Sequence, residues 1–165
     1  MRSTLHCTLL YLACVAVSGP AVAAGRDACA LLPAAEVSSI LGATVGEGEP
    51  LSPTHREYCA FNETGKAMGA GRNAQLSIID ERKFTLGRTA IAGIEKSAES
   101  GLGDEAYWSK ARGIVYVLSV RKGSSYLRVQ SRTNKDALAR ANTPALDEQD
   151  RAADRKLALA ALKRL

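Results

Sequence analysis

The chain has 165 residues, 46% of them hydrophobic and 24% charged, with no low-complexity segment and no internal repeat, which is one domain's worth of sequence. Its formal net charge is +5, but acidic and basic residues are interspersed along the chain, so the balance is not a nucleic-acid signature.

Arg2 gives the N-terminus a positive charge, and Leu5 to Val17 is an almost uncharged apolar stretch. Ser18-Gly19-Pro20 would break a helix there, and Ala21-Val22-Ala23-Ala24 places small residues where a signal peptidase reads. The pattern predicts a cleaved signal peptide over residues 1–24 and an exported domain over 25–165, periplasmic or secreted. A membrane anchor is the competing reading, but spanning needs roughly 20 apolar residues and this run stops at Gly19-Pro20. A lipid anchor on Cys14 is the second competitor. Tyr11 fits that reading poorly, and cleavage there would leave Val15 to Ala24 as an apolar arm. No later segment is apolar enough to span a membrane. Because Arg2 is the leader's one charged residue, its removal leaves 21 basic against 17 acidic residues.

Two cysteines then remain, Cys29 and Cys59. In an oxidising compartment a lone pair is expected to bridge. A loop of this length gives about 3–4 kcal/mol in chain-entropy bookkeeping, a large share of an ordinary domain's stability. His55, four residues before Cys59, offers a rival Cys/His dyad, but the partner cysteine would quench the thiolate that a dyad needs. One histidine and two distant cysteines are also too few for a metal site.

Val37, Ile40 and Leu41, with Leu31 and Leu32 before them, predict a short helix from about Pro33 to Leu41. Pro33 suits a first helical position, and Gly42 supplies the left-handed stop. So short a helix does not persist alone in water and must be packed. Gly46 to Thr54 reads as a loop. Strands are expected at Arg56 to Asn62 and Asn73 to Asp80, joined by a glycine-rich hairpin tip that lacks phosphate-loop spacing. Glu81 to Ser100 reads as a mixed crossover, with a short helix around Ala90 to Ile94.

The strongest β signal lies in Ile114 to Val120 and Ser125 to Arg132, a hairpin about Arg121-Lys122-Gly123-Ser124. Its first strand is apolar on both faces and is expected to sit more centrally. In the second, Leu127 and Val129 face one way and Tyr126, Arg128, Gln130 and Arg132 the other. Arg121, Lys122, Arg128 and Arg132, with Tyr126 as an aromatic contact, form the candidate binding face for an acidic partner or anionic surface, and Trp108 is a candidate anchor. The plainer reading is a solvated sheet face and a structural tryptophan, because the stripe is short. The tail reads as helical. Asn134 starts a short helix through Asn142, and Thr143-Pro144 starts a longer one with Leu146, Ala153, Leu157, Ala160 and Ala161 as its apolar stripe. Leu159, Leu162 and Leu165 widen that stripe.

Cys29-Ala30-Leu31-Leu32-Pro33, Glu36-Val37 and Leu41-Gly42 resemble the opening helix of small exported or lipid-anchored bacterial domains of unknown function. Glu57-Tyr58-Cys59-Ala60-Phe61 is similar to their aromatic strand with its second cysteine, and Gly101 to Trp108 to their later turn into a strand. Pro33 departs from the pattern, since the family often caps this helix with Thr or Ser. The resemblance implies an antiparallel sheet with helices packed on it, and it carries no assigned site residues.

No catalytic constellation, metal site or cofactor site is read from the sequence. Asp80-Glu81 and Asp104-Glu105 are sequence neighbours that point apart on strands. The reading is therefore an α+β domain with about five antiparallel strands and packed helices. Its expected role is that of a non-enzymatic binding protein whose partner is an envelope or extracellular protein, a neutralised toxin included. A small-molecule or lipid carrier with a pocket between helix and sheet is the alternative, and a hydrolase with an unfamiliar site comes last. Nucleic acid is not an expected partner.

Overall fold

Residues 27–67, 70–111, 115–133 and 144–165 are described in the computed structural model of the chain. The expected leader, the glycine-rich tip at Gly69 and the expected helix from Asn134 to Asn142 lie outside them.

Seven strands form one sheet: β1 (Glu49–Pro50), β2 (Tyr58–Asn62), β3 (Asn73–Ile79), β4 (Ile94–Glu99), β5 (Glu105–Ala111), β6 (Val115–Lys122) and β7 (Ser125–Arg132). Every pairing is antiparallel, and the order is β1-β2-β3-β7-β6-β5-β4. Among the described residues, three helices accompany it: α1 (Ala34–Leu41), α2 (Glu81–Arg88) and α3 (Pro144–Leu162). The α+β class is as expected, but the strand count is seven rather than about five. The two unforeseen strands, β1 and β4, are the two edges of the sheet. β1 has two residues, one a proline, and β4 reads Ile-Glu-Lys-Ser-Ala-Glu with little β-branched content. Short or charged strands are what sheet edges tolerate, and they carry the weakest sequence signal.

Alternation divides the sheet into two faces. Cys59, Phe61, Ala74, Leu76, Trp108, Leu118, Val120, Leu127 and Val129 point to the first, where they form the main core with Val37 and Leu41 of α1 and Ala153, Leu157, Ala158 and Ala161 of α3. Of the three leucines expected to widen the α3 stripe, Leu162 is buried, while Leu159 and Leu165 are exposed. Asp150 lies on the same stripe and is buried because it accepts from Thr133 N at 2.7 Å and Thr133 Oγ1 at 2.6 Å.

α1 starts one residue later than expected. Pro33 is extended (φ −68°, ψ 144°) and occupies the cap, where its ring offers no hydrogen-bond acceptor to the first N–H groups. Gly42 closes the helix in the left-handed conformation at φ 65°, which its missing Cβ makes cheap. A 3-10 turn, Ala28–Leu31, leads into α1, and the Cys29–Cys59 disulfide ties that turn to β2. Asp27 reinforces the tie. Its carboxylate accepts from Cys29 N at 3.0 Å and pairs with Arg56.

The segment from Glu81 to Ser100 differs from the expected crossover. Asp80 caps α2 by accepting from Lys83 N at 2.7 Å, so the helix forms early, and Ile94 opens β4 instead of closing a helix. α2 crosses to the second face of the sheet. There Phe84 packs on Tyr107 and Tyr126, with ring centroids 5.1 and 5.4 Å apart, beside Ile79. The middle strand of the sheet is β7, with β6 beside it, which reverses the expected order of centrality.

Candidate functional site: the half-covered second face of the sheet

α2 covers one end of the second face. At the other end the β2–β3–β7 register sets polar side chains in cross-strand rows. Asn62, Asn73 and Arg132 form one row, and Ala60, Gln75 and Gln130 the next. Tyr58, Ser77 and Arg128 form the third, and Glu49 of β1 extends the middle row beyond Ala60. Strands about 4.8 Å apart place these groups side by side. Ala60 is the small residue among them. The result is an open hollow of about 370 Å³ lined entirely by strand and loop residues, among them Tyr58, Asn62, Gln75, Gln130 and Arg132.

The structure splits the candidate basic face. Arg132 lines the hollow, and Arg128 lies on the same face nearer α2. Tyr126 is half-buried against Phe84, and Arg121 pairs with Glu105 at 3.5 Å. Lys122 sits on the opposite face, where its Nζ donates to the Leu162 carbonyl at the end of α3 (2.6 Å). It thereby supplies the cation that a helix C-terminus favours. Arg121 and Lys122 are strand neighbours, and a period of two sends them to opposite sides.

Trp108 belongs to the core, at 1% exposure. Its Nε1 donates to Glu99 Oε2 at 2.6 Å, its ring meets Tyr116 edge-on at 5.9 Å, and Arg151 lies over it at 4.9 Å. Arg155 also pairs with Glu99. Burial opposes ionisation of Glu99, yet the Trp108 N–H and the Arg155 and Arg151 guanidiniums outweigh it and hold the carboxyl below the usual value. Nearby, the hydrogen bond from Lys110 to Asp147 (2.8 Å) raises the lysine's pKa against the effect of its burial. These groups dock α3 on β4 to β6. The tryptophan is thus an anchor for a helix of its own chain.

On the second face, burial and then the Arg128 charge lower the pKa of Lys96, which donates to Ser109 Oγ at 2.7 Å. Burial raises that of Tyr58, so its hydroxyl remains a donor.

The acidic pairs serve the fold. Asp80 caps α2, Asp104 accepts from Gly123 N in the β6–β7 turn at 2.6 Å, and Glu105 pairs with Arg88 and Arg121. The structure does bring hydroxyls to His55, with Ser52 Oγ at 2.8 Å and Thr54 Oγ1 at 3.2 Å from Nδ1. All three lie within four residues on one exposed turn, and a hydroxyl–imidazole contact needs an oriented base and oxyanion donors before it is a nucleophile. Among the described residues, no three His, Cys, Asp or Glu side chains gather as metal ligands would.

A second hollow, about 430 Å³, opens where the 3-10 turn and the end of α3 meet the sheet, lined by Leu31, Ile78, Tyr126, Arg164 and Leu165 among others. Arg164 is held there by Glu36 at 2.9 Å.

The polar rows are the part of this surface that sequence inspection passes over. Asn73, Gln75 and Ser77 alternate with buried Ala74 and Leu76, a signal that identifies a wet face without identifying a hollow. No helix among the described residues is long and apolar enough to cross a membrane. No protein-family model, curated protein or solved structure matches the chain.

Proposed function

We propose that the protein is an exported, non-enzymatic binding protein that holds its partner on the part of the second sheet face that α2 leaves open. The observation carrying this reading is the polar hollow between β1 and β7, set by strand register on a rigid sheet and floored by Ala60. Rigid, preorganised surfaces lose little entropy on binding. The leader pattern and the bridged cysteines support export, as does the resemblance to small exported domains. An envelope or extracellular component is the partner class, a toxin held inactive among the cases. The carrier reading has its own support in the hollow at the end of α3, where Leu31, Ile78 and Leu165 offer apolar contact beside Arg164.

Affinity capture from an envelope fraction tests the proposal. Wild-type protein and a Lys156→Ala variant on the exposed side of α3 should retain the same partner, whereas Ala60→Trp, which fills the hollow, should lose it. Equal capture by all three, with each variant folded, would overturn the assignment of this face.

A further inference from the structure

The shape and chemistry of the open hollow say more than that it binds. We propose that it is a site for a neutral, hydroxyl-rich ligand, namely a short saccharide. This rests on the reading that the uncovered face is the binding surface, and it adds the class of ligand.

A side-chain amide presents a donor and an acceptor side by side, while a sugar hydroxyl both donates and accepts. Gln75 stands directly opposite Gln130, and Asn62 opposite Asn73, so adjacent rows present amide groups at strand spacing. Asn73 is itself only 8% exposed, and its Nδ2 lies 3.4 Å from the Gly71 carbonyl, which holds that end of its row in place. Neighbouring hydroxyls on one ring can bridge such amides without either partner being charged.

Charge points the same way. The lining carries one carboxylate, Glu49 on β1, and one guanidinium, Arg132 on β7, with β2 and β3 between them. An acidic ligand filling the hollow would meet Glu49, and a basic one Arg132. A neutral ligand can donate to the Glu49 carboxylate and exchange hydrogen bonds with the side-chain amides without a charge clash. Tyr58 supplies the remaining element. Its ring is an apolar wall that the C–H face of a pyranose can cover, and its hydroxyl is a polar tip. The volume, about 370 Å³, is near the lower end of the range for small-ligand sites, roughly 300–1,000 Å³. Pro50, Leu51 and Ala60 add apolar contact beside Tyr58, and the amides, Glu49 and Arg132 make up the rest of the lining, a mixture that suits a sugar's hydroxyls and C–H faces.

Titration of isotope-labelled protein with the neutral trisaccharides N,N′,N″-triacetylchitotriose and cellotriose, followed by NMR, tests this. At least one should shift backbone signals of β2, β3 and β7 and the side-chain amides of Asn62, Gln75 and Gln130, with a dissociation constant of about 1 mM or tighter. A Gln75→Ala/Gln130→Ala variant that keeps a native spectrum should bind about tenfold more weakly or worse. If both sugars leave those signals unmoved at about 10 mM while a hexaglutamate peptide moves them, the ligand class is overturned and the binding face stands. If neither probe moves them and Ala60→Trp also leaves partner capture intact, both readings fall.

Discussion

Replacing the Glu99 carboxylate by an amide would remove, in one step, the charged acceptor for Trp108 Nε1 and the counter-charge of Arg155 and Arg151. The Glu99 side chain is 8% exposed, so these interactions are poorly screened. Glu99→Gln should therefore lower unfolding free energy by about 1–3 kcal/mol, read from a shift of the urea midpoint at unchanged slope. The pH dependence has a defined sign. Because the folded carboxyl titrates below its unfolded value, its contribution is complete above about pH 4.3 and is lost as pH falls through the lower folded pKa. The wild-type protein should lose stability in that acid window, and the Glu99→Gln variant should lose less over the same range. Equal acid sensitivity of the two would remove Glu99 from the account of how α3 docks.

At the scale of elements, the disulfide and α2 make opposite lessons of legibility. Cys29 and Cys59 are readable as a pair because they are the two cysteines outside the expected leader, and α1 is readable from its apolar spacing and Gly42. Substituting both cysteines by serine should cost about 2–5 kcal/mol, because α1 is a helix of eight residues whose approach to β2 the bridge fixes. Non-reducing peptide mapping of exported protein should recover the linked pair, and two free thiols there would contradict it. α2 is harder to see. Gly87 interrupts its pattern, and the reason is tertiary: a Cβ on that residue would collide with the Tyr107 hydroxyl, which donates to the Phe84 carbonyl at 2.9 Å. Gly87→Ala should then lift α2 from the sheet at about 1–3 kcal/mol, with loss of the Tyr107 and Tyr126 near-ultraviolet dichroism as its signature. A variant as stable as wild type, with dichroism unchanged, would mean the helix is seated differently. The edge strands stay hidden for a related reason, since β4 needs only one paired side and little β propensity. Lys122 and Trp108 join the basic face in a sequence reading only when proximity along the chain is weighed above the two-residue period and above burial.

For the whole molecule, the asymmetry of the two sheet faces is the property on which the proposed function rests. α1 and α3 bury the first face, and α2 covers one end of the second, beside Tyr107 and Tyr126. Among the described residues, what remains is a polar surface with a hollow, on strands held from both sides by neighbours. Site-specific photocrosslinking in the exporting cell reads this claim most directly, with the reactive residue placed at Gln75, at Gln130 and, on the exposed side of α3, at Lys156. Crosslinks to a discrete envelope or extracellular component from Gln75 and Gln130, and none from Lys156, are the predicted result. Crosslinks from Lys156 alone, or the same weak background from all three positions, would contradict it.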